Sequence, residues 1–158
     1  MAEKKTLLVY YSRTGVTRKV AEEIAQALKC DVEELQDVRS RRGLFGWLRS
    51  GFEAAQKKCP DIKPVTRDLT EYNLVIVGTP VWASTMASPL RTWLSRNVRK
   101  FEKVALFCTM GGSDSGHTFP DIGVYCDADS LAELALRKNE VALGQHSQRV
   151  RDFVAKLQ

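Results

Sequence analysis

Three short apolar runs, residues 6–11, 74–77 and 104–109, each end in a polar or glycine-rich stretch, and this repetition constrains the fold more than any other feature. An apolar run of four to six residues without polar alternation is the pattern of a strand buried on both faces, as in a parallel sheet covered by helices. After the first run, Val20, Ile24 and Leu28 recur at helical spacing with Ala21, Ala25 and Ala27 between them. A strand feeding directly into a helix is the unit from which parallel sheets are built.

The rest of the chain continues this alternation. Residues 30–35 are weakly patterned and acidic, which suits a short edge strand that resists pairing with another molecule. Leu44, Leu48, Phe52 and Ala55 recur at i, i+4, i+8 and i+11 and predict a second helix despite Gly46 and Gly51. Residues 58–64, with Pro60 and Pro64, read as an irregular connector. Residues 74–77 are expected to end as a strand at Gly78, with a loop over 78–88. Ser88 and Pro89 mark a helix start, serine as N-cap and proline at the first helical position, followed by Leu90, Trp93 and Leu94. Residues 131–136 are expected to form another strand, and Val150, Phe153, Val154 and Leu157 the closing helix. A twisted parallel sheet covered on both faces follows, in one domain over residues 1–158.

At 158 residues the chain buries enough surface to need no disulfide or metal staple. No apolar run approaches the ~20 residues that span a bilayer. The N-terminal stretch lacks a small-residue cleavage site and is not expected to be a secretory signal. Cys30, Cys59, Cys108 and Cys126 show no CxxC spacing, and two histidines cannot complete a zinc site. Four reduced thiols in a cytoplasmic protein are expected.

The net charge of +5 suits nucleic acid, acidic proteins or anionic lipid, and charge alone does not choose among them. No nucleic-acid recognition motif accompanies it, so nucleic acid is not expected. Much of the charge is local: Arg39, Arg41, Arg42, Arg49, Lys57 and Lys58 are opposed only by Glu53. These residues read either as a solvated helix face with snorkelling arginines or as part of a docking surface. In the second reading Arg41, Arg42 and Arg49, with Phe45 and Trp47, meet an acidic partner.

Ligands of parallel α/β sheets sit beyond the carboxyl ends of the strands, where strand order reverses. The stretches 12–17, 78–88 and 109–117 each follow one of the three strongest strands and should converge there. Ser12, Thr14 and Thr17 supply hydroxyls, Gly15 permits unusual dihedrals, and the helix start supplies free N–H groups, a cradle suited to phosphate. The GxxxxGK[ST] and GxGxxG patterns are absent, so neither ATP hydrolysis nor a dinucleotide fingerprint is supported. Nor does the stretch carry the carboxylates of a phosphate-accepting receiver or the cysteine of a cysteine phosphatase. Judged alone, it also reads, less favourably, as the cap of an ordinary helix. Trp82 can lay its indole against a planar heterocycle or pack on a neighbouring helix. Gly111 and Gly112 let backbone amides approach a ring edge closely.

Taken together, these residues resemble flavodoxin-type proteins, in which Ser/Thr-x-Thr-Gly-Asn-Thr after the first strand holds the FMN phosphate. A Gly-Thr-Pro-x-Trp loop and a glycine-containing third loop flank the isoalloxazine in that family. The likeness covers nearly the whole chain, including Asp68-Leu-Thr-Glu-Tyr72. It implies a flavodoxin-like three-layer α/β sandwich, a five-stranded parallel sheet of order 2-1-3-4-5 with helices on both faces. It also implies FMN as cofactor. Ser12, Arg13, Thr14, Gly15, Val16 and Thr17 would hold the phosphate. Thr79, Pro80, Val81 and Trp82 would contact the ring, and Thr109, Met110, Gly111, Gly112 and Ser113 would border its pyrimidine edge.

Three departures stand out. Val16 replaces the family's asparagine, the third loop lacks a stacking aromatic, and the basic balance runs against the acidic surfaces typical of flavodoxins. The resemblance implies an electron carrier serving redox partner proteins, and the basic region of this chain suits acidic ones among them. The alternatives are an FMN-dependent oxidoreductase reducing quinones with NAD(P)H and a basic interaction module without flavin. No covalent catalysis is expected, and His117 reads as a surface histidine before a proton relay.

Overall fold

The computed structural model describes residues 5–158. Its strands are β1 (Thr6–Tyr11), β2 (Asp31–Leu35), β3 (Leu74–Trp82), the two-residue β4 (Thr85–Met86), β5 (Lys103–Met110) and β6 (Ser130–Arg137). Five of them run parallel in the order β2-β1-β3-β5-β6, while β4 pairs antiparallel with the end of β3. Counted without β4, this is the expected 2-1-3-4-5 order. The strand order reverses at β1, with β2 on one side of it and β3 on the other, and that is the switch point.

Successive residues of β1 serve opposite faces. Leu8 and Tyr10 pack with Val20, Ala21 and Ile24 of α1 (Val16–Leu28) and with Val150, Phe153 and Val154 of the closing helix, later numbered α6. Leu7, Val9 and Tyr11 pack on the other face, where α3 (Ser88–Ser95) contributes Leu90, Trp93 and Leu94 and α4 (Thr118–Cys126) contributes Ile122 and Cys126. Each such fully buried large aliphatic side chain stabilises the fold by about 1.5–3 kcal/mol relative to exposure. Helices α5 (Lys138–Ala142) and α6 (Ser147–Ala155) share the face of α1, and α2 (Gly43–Ala55) packs beside α3. The edge strand β2 carries Asp31, Glu33 and Glu34, acidic as expected for an unpaired edge.

Two expectations need correction. Strand β3 does not stop at Gly78 but continues to Trp82, because β5 pairs with it as far as Pro80 and β4 pairs with Val81 and Trp82. Pro80 is tolerated there since β5 ends close by and the far side of the strand is open. Ser88 is the first helical residue of α3, not its cap: Ala87 holds the extended N-cap conformation, and the Ser88 hydroxyl is occupied by Glu53 and Arg41. Helices α4 and α5 appear where no apolar period was visible. All four cysteines are free. Among the described residues, no helix is long and apolar enough to cross a membrane, and no cluster of side chains could hold a metal ion.

Candidate functional site

The first segment of the site is the turn between β1 and α1. Gly15 takes the N-cap position of α1 at φ +97°, a left-handed conformation that glycine adopts without strain. Its N–H donates to the Ser12 hydroxyl at 3.0 Å, so the serine is spent on the turn itself. No side chain caps α1, and its first turn has no acidic residue. The unpaired N–H groups and the positive end of the helix dipole therefore face outward, available to an anion.

The second and third segments meet this turn at the carboxyl edge of the sheet. Thr17 and Thr109 share a hydroxyl hydrogen bond of 2.7 Å in the interior, tying the start of α1 to the end of β5. Beyond Trp82 the chain reverses through Ala83 and Ser84, whose φ values of +48° and +64° are those of a primed two-residue hairpin. Without a glycine this turn is strained, and it is held from outside. The His117 N–H donates to the Ser84 carbonyl at 2.7 Å, and the Thr85 hydroxyl donates to Asp121.

A cleft of about 630 Å³ opens between these segments, within the size range of small-molecule sites. Arg13, Thr14, Val16 and Thr17 line one part of it, Pro80, Val81 and Trp82 a second, and Thr109, Met110, Gly111 and Gly112 a third. Among the described residues no acidic side chain lines it, whereas Arg13 and Lys138 bring two cations. A Cβ built on Gly111 or Gly112 would meet nothing within 4 Å, so that rim is open. The other sequence-predicted residues lie elsewhere. Ser12 lines an adjoining polar cleft of about 530 Å³ that shares Arg13 and Thr14. Thr79 is fully buried, accepting from the Ala87 N–H at 3.0 Å and donating to the Pro80 carbonyl, so it shapes the β3–β4 hairpin without lining the cleft. Ser113 and His117 are exposed and off the lining, and Asp114 accepts from the Gly116 N–H.

Sequence reasoning missed one wall. Trp47, Leu48, Ser50 and Gly51 of α2 also line the cleft, as do Ala83 and Lys138. What holds α2 there is Arg41, whose side chain is 2% exposed. Its guanidinium donates to Asp37 at 2.8 Å and to Glu53 at 2.6 Å, and reaches the hydroxyls of Ser50 and Ser88 at 3.3 Å. The same guanidinium sits 5.3 Å from the Trp82 ring centroid, and Tyr11 meets Trp82 edge-on at 5.4 Å. Arg13 in turn donates to the Arg41 and Gly43 carbonyls at 3.0 and 3.1 Å, joining the first turn to the α2 entry. Burial alone would raise Glu53, but the hydrogen bonds and charge of Arg41 hold it below the ordinary carboxylate value.

Two expectations about the basic region are thereby corrected. Arg41 belongs to no docking surface, because it is enclosed between Asp37, Glu53 and Trp82. Glu53 is also not the only acid opposing the cluster, since Asp37 shares Arg41.

An uncapped helix start and a glycine-rimmed, cationic cleft at the switch point of a doubly wound sheet define a protein that binds a small anionic ligand. The flavodoxin family's sequence model matches residues 5–145, and the chain belongs to that family. A flavoprotein from Lactobacillus acidophilus, solved in complex with FMN, is 26% identical, with 89% of this chain and 98% of that one covered and a TM-score of 0.72. The apo-form of the flavoprotein from the same organism is 27% identical, over 89% and 96% of the two chains, with a TM-score of 0.66. A protein of Bacteroides eggerthii shares the fold at 23% identity, a TM-score of 0.73 and coverage of 92% and 98%.

Proposed function

We propose that the chain is an FMN-binding redox protein of the electron-carrier type. The observation that carries this reading is the cleft itself: an anion cradle at the uncapped start of α1, continuous with a slot between Trp82 and the Gly111–Gly112 rim. The residues fit a flavin mononucleotide. The cradle has free donors and a positive dipole but no acid, and the slot has an aromatic wall and a rim without side chains. The L. acidophilus flavoprotein, similar over nearly its full length, was solved with FMN.

When bound, FMN supplies reversible uptake of electrons, while the protein supplies binding, orientation and electrostatics. Thr14 and the N–H groups of Val16 and Thr17 would bind the phosphate, with Arg13 and Lys138 adding positive charge. Trp82, backed by Tyr11 and Arg41, would contact the ring, and the amides of Gly111 and Gly112 would reach its edge. Val16 contributes an amide but no polar side chain. The Ser12 and Thr17 hydroxyls are committed to the Gly15 N–H and to Thr109, so Thr14 has the hydroxyl left to bear on the phosphate.

A second reading rests on the open Gly111–Gly112 rim: access for a small acceptor such as a quinone, reduced at the expense of NAD(P)H. Turnover of NAD(P)H with a quinone and no added reductase selects it over the carrier reading.

The test is titration of the flavin-free protein with FMN and with riboflavin. Thr14→Ala is expected to weaken FMN by about ten- to a hundredfold, the usual worth of a hydrogen bond to a charged group, and to leave riboflavin nearly unchanged. Absence of FMN binding, or equal losses for the two ligands, contradicts the assignment.

A further inference from the structure

Helix α2 is turned inside out. Its buried residues are Gly46, Ser50 and Ala54, while Leu44, Phe45, Leu48 and Phe52 point into water, Phe45 with 86% of its surface exposed. With Trp47, also exposed, five large apolar side chains on one helix exceed the scattered exposure normal for a monomer and mark an interaction surface. The inversion is built in. A Cβ on Gly46 would come within 2.0 Å of the Arg41 carbonyl oxygen, so the inward face admits no side chain there.

Charge says what covers the outward face. Between residues 38 and 58 the only acid is Glu53, and it is committed to Arg41 and Arg49. The exposed cations lie at both ends of the helix: Arg39 and Arg42 before it, Lys57 and Lys58 after it. The Lys58 ammonium stands 4.8 Å from the Phe52 ring, placing charge at the rim of the apolar face. A second copy of this chain seated on the same face would set these cations against their own images. An anionic bilayer meets both features at once, since aromatic and leucine side chains enter the interfacial layer while lysine and arginine meet the headgroups.

We propose that α2 is an interfacial helix that docks the protein on anionic lipid bilayers, with Leu44, Phe45, Leu48 and Phe52 entering the headgroup region. Because Trp47 and Leu48 also line the cleft, docking sets the cleft mouth at the bilayer surface. The docking rests on the helix face and its flanking charge, and needs no ligand in the cleft.

The experiment is sedimentation of the purified protein with vesicles of phosphatidylcholine alone and with about one-third phosphatidylglycerol. Binding is expected on the anionic vesicles, at least about tenfold weaker on the neutral ones, and falling as salt is raised. Phe45→Glu combined with Phe52→Glu is expected to reduce anionic binding by about tenfold or more while far-ultraviolet dichroism stays native, since both positions are exposed and off the cleft. FMN titration of the same variant reads the cleft separately, so failure of docking and failure of the cofactor assignment are distinguishable. No binding to anionic vesicles overturns the proposal, as does binding that the double substitution leaves intact. A dimer in solution that the double substitution dissociates overturns it in favour of a second copy. Salt-sensitive capture by an acidic polypeptide without vesicle binding overturns it in favour of a protein partner.

Discussion

Helices α1 and α2 are each thirteen residues long, and both show apolar residues at helical spacing. They are held in opposite ways. Helix α1 buries Val20, Ala21 and Ile24 against Leu8 and Tyr10 of the sheet and leaves its charges in water. Helix α2 buries its smallest residues and shows its largest to solvent, anchored by the bonds of one arginine to Asp37, Glu53, Ser50 and Ser88. Hydrophobic burial is non-directional and tolerates small displacements, whereas a buried guanidinium with two carboxylates is directional and specifies position. The cleft uses both. Its fixed walls stand on the packed sheet, and its remaining wall is pinned by charge.

The largest effects break the anchors themselves. Arg41→Ala removes the cation of Asp37 and leaves Glu53 only Arg49, and is expected to cost about 3–5 kcal/mol, the range for removing one partner of a buried pair. The matching truncation in α1, Ile24→Ala, is expected to cost about 2–5 kcal/mol by leaving a cavity. Urea denaturation measures both. The comparison predicts a further difference: hydrogen exchange in Arg41→Ala should rise first in α2, whereas in Ile24→Ala it should rise across the sheet and α1 together. Uniform loss of protection in both variants would mean that α2 is no separately anchored element.

A smaller effect comes from acid. Glu53 has a folded-state pKa below its ordinary value of 4.5, with burial outweighed by the hydrogen bonds and charge of Arg41. A group depressed on folding contributes stability above the unfolded value and loses it as pH falls through the folded one. Protection of α2 amides is therefore expected to hold above pH 4.5 and to decline below it, sooner than protection of α1. In Glu53→Gln the decline should be shallower. Parallel acid loss in the two helices contradicts the role given to Glu53.

The parallel sheet, α1 and the three converging segments were legible in the sequence because each rests on a strong period or a punctuating residue, whereas the strand order came from the resemblance to flavodoxins. The runs 6–11, 74–77 and 104–109 are doubly buried strands, and Gly15 marks a left-handed cap. Legibility failed where side chains act against their type. Ser88 looked like a cap, but its hydroxyl is taken by Arg41 and Glu53. Arg41 looked like surface charge, because no local pattern shows that Asp37, Glu53 and Trp82 close around it. Strand β3 outran Gly78 because its last residues pair with β4, a two-residue strand below the reach of any periodicity. The period of α2 located a helix at 44–55 correctly and said nothing about which face it buries. Its wall of the cleft was therefore missed, although Trp47 had stood out for another reason.

The smallest expected effect sharpens the contrast most. In an ordinary amphipathic helix, truncating the phenylalanine of the apolar stripe costs about 3–5 kcal/mol. Phe52 lies on that stripe but is 56% exposed, and its ring touches the Lys58 ammonium at the surface. An exposed cation–π contact is worth about 0.5–1 kcal/mol at most, and truncating a solvent-facing side chain shifts stability by about 0.5 kcal/mol or less. Phe52→Ala should therefore leave the unfolding free energy from urea denaturation within about 1 kcal/mol of the parent, with an unchanged denaturant slope. A loss of several kcal/mol would show that Phe52 packs inward in solution, which would restore α2 to the pattern of α1 and remove the outward face on which the bilayer docking depends.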